Sequence, residues 1–309
     1  MMSPATALLI SSGDPLIDRR YDWARGLIER GEAAAAADLL EETLTRAPNF
    51  IAGWFLLGQA HEETTDRERA IAAFRRVIAL DPEDRLGASL RLARLGERKE
   101  LSAMAPAYVR MLFDQYAVRF DRELVGTLGY SGPAVLRAAI DGVAGEVARF
   151  PRVLDLGCGT GLMGEAIRAR AGELAGVDLS PKMIEVAEKK GIFDRLVVGD
   201  LIAFIEAEET TFDLMLAADV FVYLPDLASV LSAAASHLEP SGLIAFTVET
   251  YDGDQVILRD TLRFAHGEPY LSAAAANARL DVVRLDKVST RIEKNVPVEG
   301  LLAVLRARA

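Results

Sequence analysis

Hydrophobic positions in the N-terminal third of the chain follow the spacing of amphipathic helices, and the pattern occurs twice. A shift of 34 residues superimposes three pairs of residues, namely Ala36 on Ala70, Leu40 on Phe74, and Pro48 on Pro82. A repeat of this length predicts two stacked pairs of antiparallel helices. One further helix over 85–97 would cap the stack, and a linker is predicted at 99–107.

The second copy of this pattern carries six residues at the spacing W-x2-L-G … A-x3-F … P, which are Trp54, Leu57, Gly58, Ala70, Phe74 and Pro82. In this spacing it resembles a tetratricopeptide repeat. The small residues Gly58 and Ala70 would let two helices approach closely, and Phe74 would fill the groove between them. The first copy is weaker because Trp23 replaces the motif leucine. Both a docking surface for a protein partner and a helical extension that stabilises the chain fit this pattern.

From residue 151 onward, short apolar segments alternate with amphipathic ones. The apolar segments predict strands over 152–156, 174–179, 195–201, 212–220 and 242–249. The segments between them predict helices over 161–171, 181–191 and 227–238. Alternation of this kind predicts a parallel sheet that is covered by helices on both faces.

Two β-rich runs follow the alternating part of the chain. They cover 280–292 and 300–307 and are joined by a turn near Pro297, so they predict a terminal hairpin with one antiparallel strand. We therefore predict two domains. An all-α tetratricopeptide-repeat domain occupies 1–105, and an α/β domain with a Rossmann-like, doubly wound sheet occupies 106–309.

Three alternating glycines follow the first predicted strand, in the stretch VLDLGCGTG over 153–161. Gly157, Gly159 and Gly161 would leave bare backbone at the start of a helix, where a nucleotide-containing ligand can lie. Their spacing differs from the G-x-G-x-x-G of dinucleotide sites. A carboxylate at Asp155 would repel a pyrophosphate but attract an ammonium group. The stretch therefore favours S-adenosylmethionine over a dinucleotide such as NAD.

With these residues the chain resembles the class I S-adenosylmethionine-dependent methyltransferases over about 150–309. The resemblance implies that the glycine loop and four further acids or apolar residues bind the cofactor. Asp178 would hold the ribose hydroxyls, Met183 and Asp200 would lie beside the adenine, and Asp219 would follow the fourth strand. Met183 also fits a core position, and Asp200 and Asp219 also fit helix N-caps.

An aromatic helix is predicted upstream of the glycine loop, over 108–124. Phe113, Tyr116 and Phe120 lie close to one of its faces. In many small-molecule methyltransferases such a helix covers the cofactor pocket. The combination of repeats, this helix and the glycine loop resembles bacterial methyltransferases that carry an N-terminal repeat domain.

The segment DTLRFAHGEPY over 260–270 reads as a polar insertion after the fifth strand. In the resembled family, such an insertion presents residues that contact the acceptor. Arg263, His266 and Tyr270 are therefore candidate substrate-binding residues, although a solvated loop also explains them. If a proton must leave the acceptor, His266 or Tyr116 is the candidate general base.

The composition argues against several classes of protein, among them nucleic-acid-binding, disulfide-bonded and membrane-spanning proteins. Among the 309 residues, the net charge of −11 argues against binding to nucleic acid. The single cysteine, Cys158, excludes an internal disulfide and suits the cytoplasm, and its place in the glycine loop requires only small size. The apolar piece 5–10 is too short for a signal sequence or a membrane span. We expect a cytoplasmic protein without a metal site or a membrane partner.

The sequence predicts an S-adenosylmethionine-dependent methyltransferase whose acceptor is a small metabolite or natural product. Two alternatives stay open at this point. One is that the chain methylates a protein, and the other is that it senses the cofactor without turnover and recruits a partner through its repeats. An NAD-dependent oxidoreductase is disfavoured by Asp155, by the glycine spacing and by the terminal hairpin.

Overall fold

The computed structural model describes residues 11–97, 104–127, 129–293 and 295–308. The N-terminal piece 5–10 and most of the predicted linker, 99–103, lie outside these residues. The chain forms two compact units, Met1–Tyr108 and Val109–Ala309. They divide close to the domain boundary expected after residue 105, which itself stays a prediction.

The first unit is built of helices that each pack on the next one along the chain. They are α1 (Pro15–Glu29), α2 (Ala33–Arg46), α3 (Ile51–Glu63), α4 (Arg67–Leu80) and α5 (Ala88–Arg94). The cap helix α5 is shorter than expected. It begins only at Ala88, because Gly87 takes a left-handed backbone and the Asp84 carboxylate accepts the N–H of Ala88 at 2.6 Å.

The close packing of α3 on α4 depends on one glycine. A Cβ atom at Gly58 would lie 2.6 Å from Cε1 of Phe74, and Phe74 is fully buried. Trp54 fixes the start of the same helix pair, since its indole N–H donates to the carbonyl of Pro48 at 2.9 Å. The motif residues therefore have the packing roles that their spacing predicts.

We predict that Gly58→Ala destabilises the helical unit by about 1–3 kcal/mol, the usual cost of overpacking a core. Both tryptophans of the chain, Trp23 and Trp54, lie in this unit, so tryptophan fluorescence reports its unfolding. A urea titration followed by fluorescence would measure the change. An unchanged midpoint would mean that Phe74 moves aside at no cost.

The second unit combines a central sheet with covering helices. Its strands are β1 (Phe150–Leu156), β2 (Ala171–Asp178), β3 (Arg195–Val198), β4 (Phe212–Ala217), β5 (Leu238–Glu249), β6 (Val256–Leu258), β7 (Phe264–His266), β8 (Leu280–Val288), β9 (Ile292–Glu293), β10 (Val296–Pro297) and β11 (Gly300–Ala307). The helices after α5 are α6 (Pro106–Tyr116), which begins in the last residues of the first unit, α7 (Gly132–Ala144), α8 (Leu162–Ile167), α9 (Pro181–Lys190), α10 (Leu201–Ala207), α11 (Leu227–His237) and α12 (Glu268–Asn277).

The sheet has the order β3-β2-β1-β4-β5-β11-β8. Strands β1 to β5 are parallel, and β11 runs antiparallel to both β5 and β8. The Rossmann-like sheet with a terminal antiparallel hairpin is therefore confirmed. The hairpin connection differs from the expected turn at Pro297, because β9 and β10 form a small antiparallel pair of their own.

Successive residues of β1 face two different hydrophobic layers. Leu154 and Leu156 belong to the layer around Phe246, whereas Val153 belongs to the layer around Ile140 of helix α7. This alternation holds the sheet between helices on both faces. It also fixes the carboxyl ends of β1, β2, β4 and β5, where the loops of the site begin. Among the described residues, no helix is long and apolar enough to cross a membrane.

Candidate active site

The glycine loop after β1 has one residue that faces open space. Gly157, Gly159 and Gly161 all have a positive φ, of 64°, 54° and 92°. A Cβ atom at Gly157 would meet Val220 at 2.6 Å, and one at Gly161 would meet Phe193 at 3.0 Å. At Gly159 no heavy atom lies within 4 Å of that position. The first and third glycines are therefore needed for packing, while Gly159 leaves room for a ligand.

Asp155, at the carboxyl end of β1, is a buried acid with an unused oxygen. Its side chain is 1% exposed, and no described residue forms a hydrogen bond with its Oδ2. Burial, together with the nearby charge of Asp178, raises the pKa of Asp155 to about 8. A cation placed at this oxygen would supply the missing partner.

Asp178 ends β2 and organises the glycine loop from the side. Its carboxylate accepts the N–H of Gly159 at 2.9 Å and the N–H of Ser180 at 2.8 Å. Burial raises the pKa of Asp178 to about 6, although these two hydrogen bonds oppose the rise. The structure thus brings Asp155, Gly159 and Asp178 together at one edge of the sheet.

Helix α6 and the aromatic segment after it hold the loops of this edge through two acids that sequence reasoning missed. Asp114 accepts the hydroxyl of Ser180 at 2.6 Å. Asp121 accepts the hydroxyl of Thr160 and pairs with Lys190 at 2.9 Å. The stretch FDQYAVRFD contains both acids seven residues apart, two helical turns, and this spacing was the available signal.

Aromatic contacts continue this segment toward the loop after β4. The ring of Phe113 lies 5.4 Å from that of Tyr223 and 6.1 Å from that of Phe120, both edge to face. Tyr116, a candidate base, is 42% exposed, and the guanidinium of Arg119 stacks on its ring. Its hydroxyl has no described contact with the glycine loop.

The two residues that were expected to contact the adenine, Met183 and Asp200, each have a role in the fold itself. Met183 is fully buried on α9, so it presents no surface to a ligand. Asp200 is exposed and is the N-cap of α10, where it accepts the N–H groups of Ile202 and Ala203 at 3.0 Å each. Met183 thus occupies a core position and Asp200 caps a helix, as the sequence also allowed. Their contacts with adenine stay predictions.

Asp219 does not cap a helix but lies in an ion pair. Arg291 donates from Nη1 to both of its carboxylate oxygens at 2.7 Å. Asp219 also has a positive φ of 63°, which is uncommon outside glycine, and its N–H donates to the hydroxyl of Thr247 at 2.9 Å. Its carboxylate is therefore neutralised within the chain, and a direct contact with the cofactor stays a prediction.

Arg263 belongs to the same network of charges as Arg291. Arg263 pairs with Glu293 at 2.5 Å and lies 3.6 Å from Glu249, and Arg259 approaches Glu249 at 3.4 Å. Burial opposes the charge of Arg263, but nearby anionic groups raise its pKa above the usual value. Arg291, Glu249 and Glu293 were absent from the predicted site, because nothing in their local sequence links them to the glycine loop.

The segment 260–270 is not the polar insertion that we expected. It forms strand β7 and begins α12, and His266 is fully buried. The neutral His266 ring donates from Nε2 to the carbonyl of Leu224 at 2.9 Å, and burial lowers its pKa to about 4. The hydroxyl of Tyr270 accepts the N–H of Leu227 at 2.9 Å. Both side chains thus hold the loop after β4, and neither is placed as a base or an acceptor contact.

The Cys158 thiol and the acidic side chains were also considered as a nucleophile and as metal ligands. Cys158 is buried in the glycine loop, and burial raises the pKa of its thiol well above the usual value, so it is a poor nucleophile. In the part of the chain that the structure describes, no group of three or more His, Cys, Asp or Glu residues could hold a metal ion.

The fold and this edge of the sheet define a Rossmann-like domain with a glycine loop built for a nucleotide-containing ligand. Family comparison specifies the class. Residues 154–246 match the family described as a methyltransferase domain. Residues 21–85 and 55–112 match the tetratricopeptide repeat family. The chain therefore carries a methyltransferase domain preceded by tetratricopeptide repeats, and the predicted resemblance is confirmed.

Curated relatives match only part of this chain. The ubiquinone biosynthesis O-methyltransferase of Xylella fastidiosa (strain 9a5c) is 36% identical over 95 residues, which is 29% of this chain and 39% of that protein. The enzyme of the same name from Xanthomonas campestris pv. campestris (strain B100) is 32% identical over 111 residues, 34% of this chain and 46% of that protein. The chain thus spans less than half the length of these relatives.

A solved structure supports the fold of the second unit. It is the Burkholderia thailandensis 1,6-didemethyltoxoflavin-N1-methyltransferase, with bound 1,6-didemethyltoxoflavin and S-adenosylhomocysteine. The TM-score is 0.53 at 19% identity, and the match covers 69% of this chain and 93% of the other. At this identity the likeness concerns the fold alone.

Proposed function

We propose that the chain is an S-adenosylmethionine-dependent methyltransferase. The observation that carries the proposal is the buried Asp155 carboxyl, whose Oδ2 has no described partner, beside Gly159, which faces open space. A ligand that fits must bring a cation to Asp155 and a flat or extended group to the bare backbone. S-adenosylmethionine has an ammonium group in its amino-acid tail that would favour the ionised form of this carboxyl, whereas a pyrophosphate brings no cation to it.

The residues of the chain then have distinct tasks. Asp155 would pair with the ammonium group, Gly159 would admit the ligand, and Asp178 would accept from the ribose hydroxyls while it holds the loop. The cofactor supplies a methyl group that its positive sulfur already activates. The chain therefore contributes mainly by aligning the acceptor atom behind that methyl group and by excluding water.

A small molecule is the acceptor that we propose. The curated relatives are named as O-methyltransferases of ubiquinone biosynthesis, and the solved structure with a similar fold holds a small acceptor. The aromatic contact between Phe113 and Tyr223 supports a hydrophobic surface near the loop after β4. Because the curated relatives are named as O-methyltransferases and the structure with a similar fold is an N1-methyltransferase, the proposal does not choose between oxygen and nitrogen.

A role in recruiting a protein is the second candidate, and one observation favours it. In the helical unit, Leu16 and Trp23 on α1 are 67% and 64% exposed. They lie seven residues apart and so share a face of the helix. Two large apolar side chains exposed on one helix face are a candidate contact for a protein partner. A protein acceptor, or a partner recruited without methyl transfer, would use this unit.

The test uses the full chain with S-adenosylmethionine that carries a labelled methyl group, incubated with separated small-molecule and protein fractions. We expect label in the small-molecule fraction. Label in protein would favour the protein methyltransferase. Binding of S-adenosylhomocysteine without any transfer would favour a sensor, and the absence of binding would contradict the proposal.

A substitution at Asp178 tests the cofactor site directly. We expect Asp178→Ala to weaken the binding of S-adenosylhomocysteine by at most several kcal/mol, since a hydrogen bond to a charged group contributes about 1.5–3 kcal/mol. Isothermal titration calorimetry measures the loss. Asp213→Ala is the control, because Asp213 accepts the N–H of Arg152 at the opposite edge of the sheet. Equal affinities of both variants and the wild type would remove Asp178 from the site.

A further inference from the structure

We propose that Arg291 is a positioning residue for the cofactor loop, acting through Asp219 and Val220. The inference rests on the proposed function, because it concerns the same site. Arg291 precedes β9, in the connection between β8 and β11, and lies far in sequence from the glycine loop. Nothing in the methyltransferase motifs of the sequence points to it.

Arg291 is held by carboxylates from three parts of the second unit. Its side chain is 1% exposed. Nη1 donates to both oxygens of Asp219 at 2.7 Å, Nη2 donates to Glu249 at the end of β5, and Nε donates to Glu293 at 2.8 Å. Burial opposes its charge, but Asp219 and the other carboxylates raise the pKa of the guanidinium above its usual value. Arg291 therefore stays charged and fixed in one place.

The pairing holds a strained residue. Asp219 has a φ of 63°, a conformation that costs free energy for any residue with a side chain. Its N–H donates to Thr247 and its carboxylate accepts from Arg291, so both the backbone and the side chain of Asp219 are restrained. Without Arg291, the carboxylate of Asp219 would lose this anchor, while the hydrogen bond from its backbone N–H to Thr247 would remain.

The next residue transmits this position to the glycine loop. Val220 packs against Gly157 so closely that a Cβ atom at Gly157 would lie 2.6 Å from Cγ2 of Val220. The position of Val220 therefore limits how closely Gly157 can approach it. Gly159 follows Gly157 by two residues in the same loop. A chain of direct contacts thus runs from Arg291 through Asp219 and Val220 to the backbone that would meet the cofactor.

The experiment compares Arg291→Lys and Asp219→Asn with the wild type in the full chain. Lysine keeps a cation but cannot donate to Asp219, Glu249 and Glu293 together from a planar group. Asp219→Asn leaves Arg291 paired with the two glutamates, so the buried charges stay compensated. S-adenosylhomocysteine affinity is measured by calorimetry, and the midpoint of thermal unfolding is measured on the same samples.

We expect both variants to bind S-adenosylhomocysteine at least about 10-fold more weakly, equivalent to about 1.4 kcal/mol. The double variant should lose little more than either single one, because both remove the same coupling. A purely structural role would lower the unfolding midpoint and leave the affinity unchanged. Arg284→Ala is the control, since Arg284 pairs with Asp286 at 2.6 Å on β8, at the end of the sheet order.

The outcomes separate this inference from the proposed function. Wild-type chain that does not bind S-adenosylhomocysteine would overturn the proposed function and the inference with it. Wild-type binding with unchanged affinity in both variants would overturn the inference alone. Additive losses in the double variant would also overturn it, because Arg291 would then act independently of Asp219.

Discussion

Gly159→Val is expected to abolish the binding of S-adenosylhomocysteine, with a loss of more than about 100-fold, larger than that of Asp178→Ala. The branched side chain would point into the space that is open at this position, where no heavy atom lies within 4 Å. The ligand is then blocked by volume, whereas Asp178→Ala removes individual hydrogen bonds. Calorimetric titration of both variants provides the comparison.

A second glycine separates this clash from backbone strain. Gly191, which ends helix α9, has a φ of 63°, and no heavy atom lies within 4 Å of its Cβ position. Gly191→Val therefore imposes a similar strain on the backbone without occupying the site. We expect it to lose stability and to keep its affinity. Equal affinity losses in both variants would show that strain, and not the blocked ligand space, explains the effect at Gly159.

The affinity for S-adenosylhomocysteine is expected to rise with pH between 6 and 8 and to level off above 8. The pKa of Asp155 is about 8 in the free protein, so the carboxyl is about nine-tenths protonated at pH 7. An ammonium group beside it favours the ionised form, and binding must then release the proton. Calorimetry at pH 7, in buffers of different ionisation enthalpy, should report the net release of a proton on binding.

Asp155→Asn removes this proton and keeps the shape of the side chain. We expect the variant to bind about 10- to 100-fold more weakly, to release no proton from this position, and to gain no affinity for NAD. Asp213→Asn, at the opposite edge of the sheet, should behave as the wild type does in both measurements. A variant at Asp155 that bound NAD tightly and ignored S-adenosylmethionine would contradict the proposed ligand.

The same pKa has a consequence for the stability of the free protein. Asp155 binds its proton up to about pH 8 when folded, but gives it up near pH 4 when unfolded. Between these values the folded state holds more protons, so rising pH lowers the free energy of unfolding. Burying this acid therefore destabilises the free domain at neutral pH, and a bound cation offsets the loss.

Local patterns in the sequence predicted the elements that depend on local physics. The period of 34 residues predicted the helix pairs, because Gly58 and Phe74 meet across a single helix–helix contact. Alternation predicted the parallel strands, and the β-rich runs predicted one antiparallel strand, which the structure shows to be β11. The glycine loop could be placed on its strand because positive φ at three nearby positions requires glycine.

The remaining part of the site depends on long-range pairs that no local pattern encodes. Asp219 and Arg291 are 72 residues apart in sequence, and only the placement of the β8–β11 connection brings them together. His266 looked like a candidate base because its neighbours are polar, but β7 joins the sheet beside β5 and buries the ring. Burial of this kind is a tertiary property, so a single sequence could not predict it.

Strand β11 has a further consequence for how the second unit is assembled during synthesis. It lies between β5 and β8, and both precede it in the chain. Until β11 emerges from the ribosome, the facing edges of β5 and β8 have no partner. The unit must therefore finish folding late, and nascent chains stalled before residue 300 would be exposed to aggregation and to chaperone capture.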